Sequence, residues 1–213
     1  MPTPAAASDP GRYHATSAIR GYLAAKDQGA ATPDQLRAAV HERWAVKTGA
    51  DPDAQALTGQ AATVSTIEAL TALPVPAALP PNGRSDGAEK TVWSVQATLT
   101  AYGAEADGDY HMVIADQAGR TMIAEIPKPG DIQGQSYFAA EIASARSTFD
   151  DHLQIKENAV QATSPGAGAS PFQDVGIGVT LVGLGFFDFN HNQRGVARNA
   201  IELHPVVNIA FTP

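Results

Sequence analysis

Two pairs of residues in this 213-residue chain have a spacing that sets a carboxylate beside an imidazole: Asp109 with His111, and Glu202 with His204. On an extended strand successive side chains point to opposite faces, so residues two apart share a face. Each pair then offers one oxygen and one nitrogen donor together. If a fold brings the pairs close, Asp109, His111, Glu202 and His204 form a ligand set for zinc, manganese or iron, with positions left for water or substrate. Water on such an ion ionises near neutral pH while the metal polarises a phosphoryl or carbonyl oxygen, so hydrolysis is the simplest reaction for this set.

The polar run from Gly185 to Pro205 adds further candidates. Asp188 and His191, three apart, are candidates for a general base or a second metal position. Arg194, with Arg198 in the same run and Arg120 in an earlier turn, carries the paired N–H donors that hold a developing negative charge. The expected catalytic residues are therefore His191, Asp188 and Arg194. Gly176-Ile-Gly178 and Gly183-Leu-Gly185 do not complete a dinucleotide fingerprint, and no helix follows them; they read as bends in a barrel strand.

Each of these residues also has a plain structural explanation. Asp107-Gly-Asp109 is ordinary turn chemistry. His204 can hydrogen-bond Glu202 or a backbone carbonyl, and Asp188 with Asn190 can cap a tight loop. Glu125, set among apolar neighbours, reads as a satisfied edge carboxylate, with membership of the site as the alternative. His14 and His41 are lone helical histidines, and His152 at a helix end suits the helix dipole.

Zero cysteines exclude a disulfide, a thiolate metal site and a cysteine nucleophile, so any metal must come from His, Asp and Glu. The formal charge of −8 is uneven: residues 1 to 90 hold 8 Lys/Arg against 9 Asp/Glu, and residues 91 to 213 hold 6 against 13. An acidic half disfavours a protein that tracks nucleic-acid backbones by charge alone, although bound divalent cations offset part of that charge and leave a nucleic acid or other phosphodiester open as a partner. No window of about 18 apolar residues is present, so no membrane span is expected. The first ten residues lack the charged and apolar regions of a secretory leader. The expectation is an extracytoplasmic protein whose leader has been cut away, with a cytoplasmic one as the alternative.

The elements that must position these residues follow from periodicity. Residues 1 to 11 read as a flexible tail and 12 to 73 as a helical segment. Its helices are predicted over Arg12 to Lys26, from Thr32-Pro-Asp-Gln to Gly49 with the stripe Leu36, Val40, Trp44, and over Val64 to Leu73. Residues 74 to 90, rich in Pro and Gly, read as a linker or strap. From residue 91 to 213 alternation predicts strands at Thr91 onward, Tyr110 to Asp116 and Thr121 to Ile126. A helix over Tyr137 to Leu153, buried through Phe138, Ile142, Ala145 and Phe149, precedes two last strands. Three strands, a helix and two strands predict an α+β fold: an OB-fold-like five-stranded β-barrel with one helix between strands three and four. A mixed sheet with one covering helix has the same elements.

The segments Glu105 to Asp116, Thr121 to Pro127 and Gly185 to Pro205 resemble a group of uncharacterised bacterial proteins, many with secretory leaders, over roughly residues 84 to 211. That resemblance implies no activity. Asp107-Gly-Asp109 ahead of a strand is also similar to the staphylococcal-nuclease type of OB-fold, which implies the fold. The function expected is a metal-dependent hydrolase, a phosphodiesterase or nuclease. The alternatives are a non-catalytic OB-fold module that binds a carbohydrate, peptide or protein, and a structural domain that self-associates through its amino-terminal helices.

Overall fold

The computed structural model describes residues 43–105, 107–132, 135–155, 172–189 and 193–212. The tail, the first predicted helix and the part of the second before residue 43, with His14, His41 and His191, lie outside the described residues.

Alternating β-branched and apolar residues form six strands: β1 (Thr63–Ser65), β2 (Val92–Ala104), β3 (Tyr110–Ala115), β4 (Thr121–Ile126), β5 (Gln173–Phe187) and β6 (Ile201–Thr212). They pair in the order β1-β2-β3-β4-β6-β5, and an antiparallel β2–β5 pairing closes the sheet into a ring. Two pairings are parallel, β1 with β2 and β4 with β6, so the sheet is mixed. Helices α1 (Trp44–Lys47), α2 (Ile67–Thr71), α3 (Pro129–Ile132) and α4 (Ala139–Leu153) complete the described elements, with two 3-10 turns. Among the described residues no helix is long and apolar enough to cross a membrane.

Five strands were expected, and the described residues have six. The extra one, β1, lies where a helix is predicted to start: Val64 does not join a helical stripe but stands 84% exposed on a strand. The helix begins only after Thr66, whose hydroxyl oxygen accepts a hydrogen bond from Ala69 N at 3.1 Å as an N-cap.

The ring has two buried faces. Tyr110, Met112 and Ile114 of β3, Met122, Ala124 and Ile126 of β4, and Ile201 and Leu203 of β6 join one apolar core, sealed by Phe138, Ile142, Ala145 and Phe149 of α4. The alternate residues, His111 and Val113, Ile123 and Glu125, Glu202 and His204, take the other face by the two-residue period. They are buried as well. Arg43 and Lys47 pack here over the Phe186 ring, and Lys47 Nζ lies 3.5 Å from Asp188. Gly195 of the β5–β6 connection abuts Val113. Gly185 allows Ala88 to approach the back of β5 more closely than any Cβ would permit, and the β5–β6 register shifts around Gly183, so the glycines mark bends.

Residues 74 to 90, which compositionally read as a linker, contain two of the most buried charges. Arg43 donates to both oxygens of Glu89 at 2.7 and 2.8 Å, and Arg84 pairs with Asp51 at 3.0 Å. Glu89 also accepts from Phe187 N, and Arg84 donates to Val46 O and Gly185 O, which ties residues 43–51 to the end of β5.

Candidate functional site

Strands β3 and β6 are not neighbours, because β4 lies between them. Glu125 of β4 pairs directly across from His111, while Ala124 sits opposite Leu203. The intervening carboxylate therefore stands between the two histidines. Its Oε1 lies 3.0 Å from His111 Nδ1, and its Oε2 lies 3.1 Å from His204 Nδ1. Glu125 is not a satisfied edge carboxylate. It is the residue through which the two predicted pairs meet.

Two groups of side chains bring ligand atoms to within 4.8 Å of one another, Asp109 with Glu125 and His204, and Glu105 with His111 and Glu125. Asp109 is placed by its backbone. Gly108 takes φ +88, Asp109 N donates to Asp107 Oδ1, and Asp109 Oδ1 accepts from Lys128 N at 2.8 Å. The turn chemistry foreseen for Asp107-Gly-Asp109 is present, and it points the second oxygen, Oδ2, at His204 Nε2, 3.7 Å away. Glu202 Oε2 lies 3.8 Å from His204 Nδ1 but is not in either close group. Glu202 and His204 project into neither a groove nor solvent. Both are buried: the Phe186 ring lies against His204, and Arg43 and Lys47 lie over that ring.

Four buried atoms here have no hydrogen-bond partner: Asp109 Oδ2, Glu202 Oε2, and both ring nitrogens of His204. The 3.1 Å approach of His204 to Glu125 thus lacks hydrogen-bonding geometry. Each unsatisfied buried polar group costs about 1–3 kcal/mol. Burial drives the charges down. It pushes Asp109 up to about 6 and His204 down to about 4. Burial, reinforced by Asp188, holds Glu202 well above the usual carboxylate range, and burial with Glu105 raises Glu125. Asp107 rises to about 7 through burial and the adjacent Asp109.

His111 is built differently. Its Nε2 lies 2.9 Å from Arg194 O, which can only accept, so Nε2 carries a proton. Its Nδ1 faces Glu105 at 2.9 Å and Glu125 at 3.0 Å. Burial opposes a charged ring, but the bonds to the two carboxylates outweigh it and lift the pKa to about 11. In the metal-free chain His111 is an imidazolium clamped between two acids, and Phe172 meets its ring edge-on.

The predicted catalytic residues fare unevenly. Asp188 lies at the end of β5, buried, with Lys47 Nζ 3.5 Å away. Lys47 is held charged: burial opposes it, and Asp188, Glu125 and Glu202 together more than offset that. Arg194 contributes its carbonyl rather than its guanidinium, which turns outward to Asp174. Arg198 donates to Thr71 O, and Arg120 pairs with Asp116 and Glu68. Each of the three arginines expected to clamp an anion thus holds a partner within the chain. His152 stacks on Phe211 at 3.6 Å, a packing role. Lys47 and Glu105 were missed, and for Glu125 the edge reading was preferred to the site one. A carboxylate alternating with apolar residues on β4 was the one available signal, for Glu125.

Comparison with protein-family models, curated proteins and solved structures finds no match for this chain. The resemblances of residues 84 to 211 and of Asp107-Gly-Asp109 therefore rest on those motifs alone.

Proposed function

We propose that this chain binds a divalent transition-metal cation between Asp109, Glu125 and His204. The observation that carries the reading is His204: a buried imidazole, neutral at physiological pH, with both nitrogens unpartnered and two carboxylates within 3.7 Å. A cation would take one of the two ring nitrogens and reduce the repulsion among the acids. One nitrogen and carboxylate oxygens suit zinc, manganese or iron. The five long strands close in the order β2-β3-β4-β6-β5 with α4 between β4 and β5. This order supports an OB-fold-like barrel, and such barrels bind ligands on the face of strands two and three and the loops beside it. In this chain that face is β3 and β4, with the 105–109 and 188–200 connections.

The reaction such a centre supports is hydrolysis by metal-activated water. Glu105, whose side chain is 38% exposed, marks the route by which water reaches the cluster. A phosphodiester substrate has less support than an ester, because the three candidate arginines are engaged elsewhere. Burial of Asp109, Glu125 and His204 favours a second reading, in which the cation pins together a non-catalytic binding module. The test is to strip the chain with a chelator, reload it with Zn²⁺ or Mn²⁺, and assay nitrophenyl acetate and bis-nitrophenyl phosphate. Turnover restored by metal in the native chain and absent in His204→Ala supports the hydrolase. Metal uptake without turnover supports the binding module. No uptake removes both.

A further inference from the structure

The two close groups share one residue, and they share it through different atoms. Glu125 offers Oε1 toward His111 and Oε2 toward His204. A carboxylate with each oxygen facing a separate nitrogen donor has the disposition of a bridging ligand in two-metal sites, where the ions lie about 3.5–4 Å apart. We propose that the cluster is a two-cation centre bridged by Glu125, with an inner seat at Asp109, Glu125 and His204 and a rim seat at Glu105, His111 and Glu125. This rests on the cation-binding reading above and extends it from one ion to two.

Three observations support the rim seat. First, His111 has the outer bond of a metal-ligating histidine: Nε2 donates to the Arg194 carbonyl, which fixes the ring so that Nδ1 faces the two carboxylates, and a rim cation would take the place of the Nδ1 proton, released to solvent. Second, the unpartnered ring nitrogens of His204 and the unpartnered Oδ2 of Asp109, on side chains each 0% exposed, lie in the same cluster, with His204 facing the shared carboxylate from the opposite side. Third, the carboxylates outnumber the cations. Glu105, Asp107, Asp109, Glu125, Asp188 and Glu202 act on one another here, and Lys47 is the lysine among them. Oxygen and nitrogen donors at both seats suit Mn²⁺ or Zn²⁺.

The experiment is metal stoichiometry and spin coupling on the full chain, stripped and then dialysed against Mn²⁺. The native chain is expected to hold two ions and to give the electron paramagnetic resonance signal of an exchange-coupled pair. Glu105→Gln changes a partly exposed side chain at the rim and is expected to weaken the second ion at least tenfold, leaving one isolated, uncoupled Mn²⁺. His111→Ala should do the same, with circular dichroism checking that the chain still folds. One ion in the native chain, lost in His204→Ala but untouched by Glu105→Gln and His111→Ala, would overturn the two-cation centre and leave the single-ion reading standing. No bound ion in the native chain would overturn both.

Discussion

Glu125 and His204 approach to 3.1 Å on adjacent parallel strands without forming a hydrogen bond. A contact so close and so unsatisfied makes the stability of the chain depend on what else enters the cluster. Adding Zn²⁺ or Mn²⁺ at about a hundred times its dissociation constant should therefore stabilise the stripped chain by about 2.7 kcal/mol. Thermal unfolding with and without metal measures this. His204→Ala should show no such increase, and an equal increase in both chains would count against the site.

Asp109→Asn separates stability from binding. Oδ1 still accepts from Lys128 N, while an amide in place of Oδ2 brings a donor toward the unpartnered His204 Nε2. The stripped variant should gain about 1–2 kcal/mol in urea unfolding, and its response to metal should fall. A variant less stable than the native chain would mean that Asp109 is charged and satisfied.

Lys47 is the internal cation facing these acids. Lys47→Met removes a unit charge that repels an incoming ion. Affinity for Mn²⁺ should rise on the order of tenfold, while the stripped chain loses stability. Calorimetric titration reads the first effect and urea unfolding the second. Weaker binding would show that Lys47 shapes the site rather than competing for it.

Glu89 sets the acid limit of the fold. Burial opposes its charge, but Arg43 and the N–H groups of Phe187 and Ser85 outweigh that, so its folded-state pKa lies below the usual range. A depressed carboxyl contributes stability that is complete above its unfolded value, near about 4.3. That contribution is lost as pH falls through the folded value. Asp51, raised by burial, acts in the opposite direction over the same range. The test is therefore the difference between native and Glu89→Gln chains. It should shrink as the pH is lowered below about 4.3. Glu89→Ala should cost roughly 3–5 kcal/mol at neutral pH, because it leaves Arg43 buried and unpaired.

Gly195 holds the Arg194 carbonyl against His111. It sits at φ +87, and a Cβ there would come within 2.6 Å of Val113 Cγ1. Gly195→Ala should cost about 1–3 kcal/mol from backbone strain and shift the His111 ring resonances in nuclear magnetic resonance spectra. Unchanged ring resonances would show that the carbonyl contact does not depend on this turn.

Strong alternation made β4 legible to the residue and β3 to within one, and the helical stripe from Phe138 to Phe149 gave α4. β1 was hidden because three residues are too few to establish a period. Asp109 and His204 were legible as donors from their spacing. Glu125 was not, since a carboxylate among apolar residues looks the same on an edge strand as between two histidines, and only the ring order distinguishes them. Arg84 and Glu89 were hidden in a run of Pro, Gly and Asn whose composition signals turns. Their partners Asp51, Arg43 and Phe187 lie 33, 46 and 98 residues away in sequence.

The alternation of β4 also bears on how the chain finds its fold. A slip of one residue against β3 would exchange Glu125 for Ala124 or Ile126 and drive a carboxylate in among Met112, Ile114 and Phe149. His111 and His204, on the strands either side, would meet methyl groups instead of an acid. Glu125, His111 and His204 thus make misaligned pairings of the central strands costly, so the cluster proofreads the sheet.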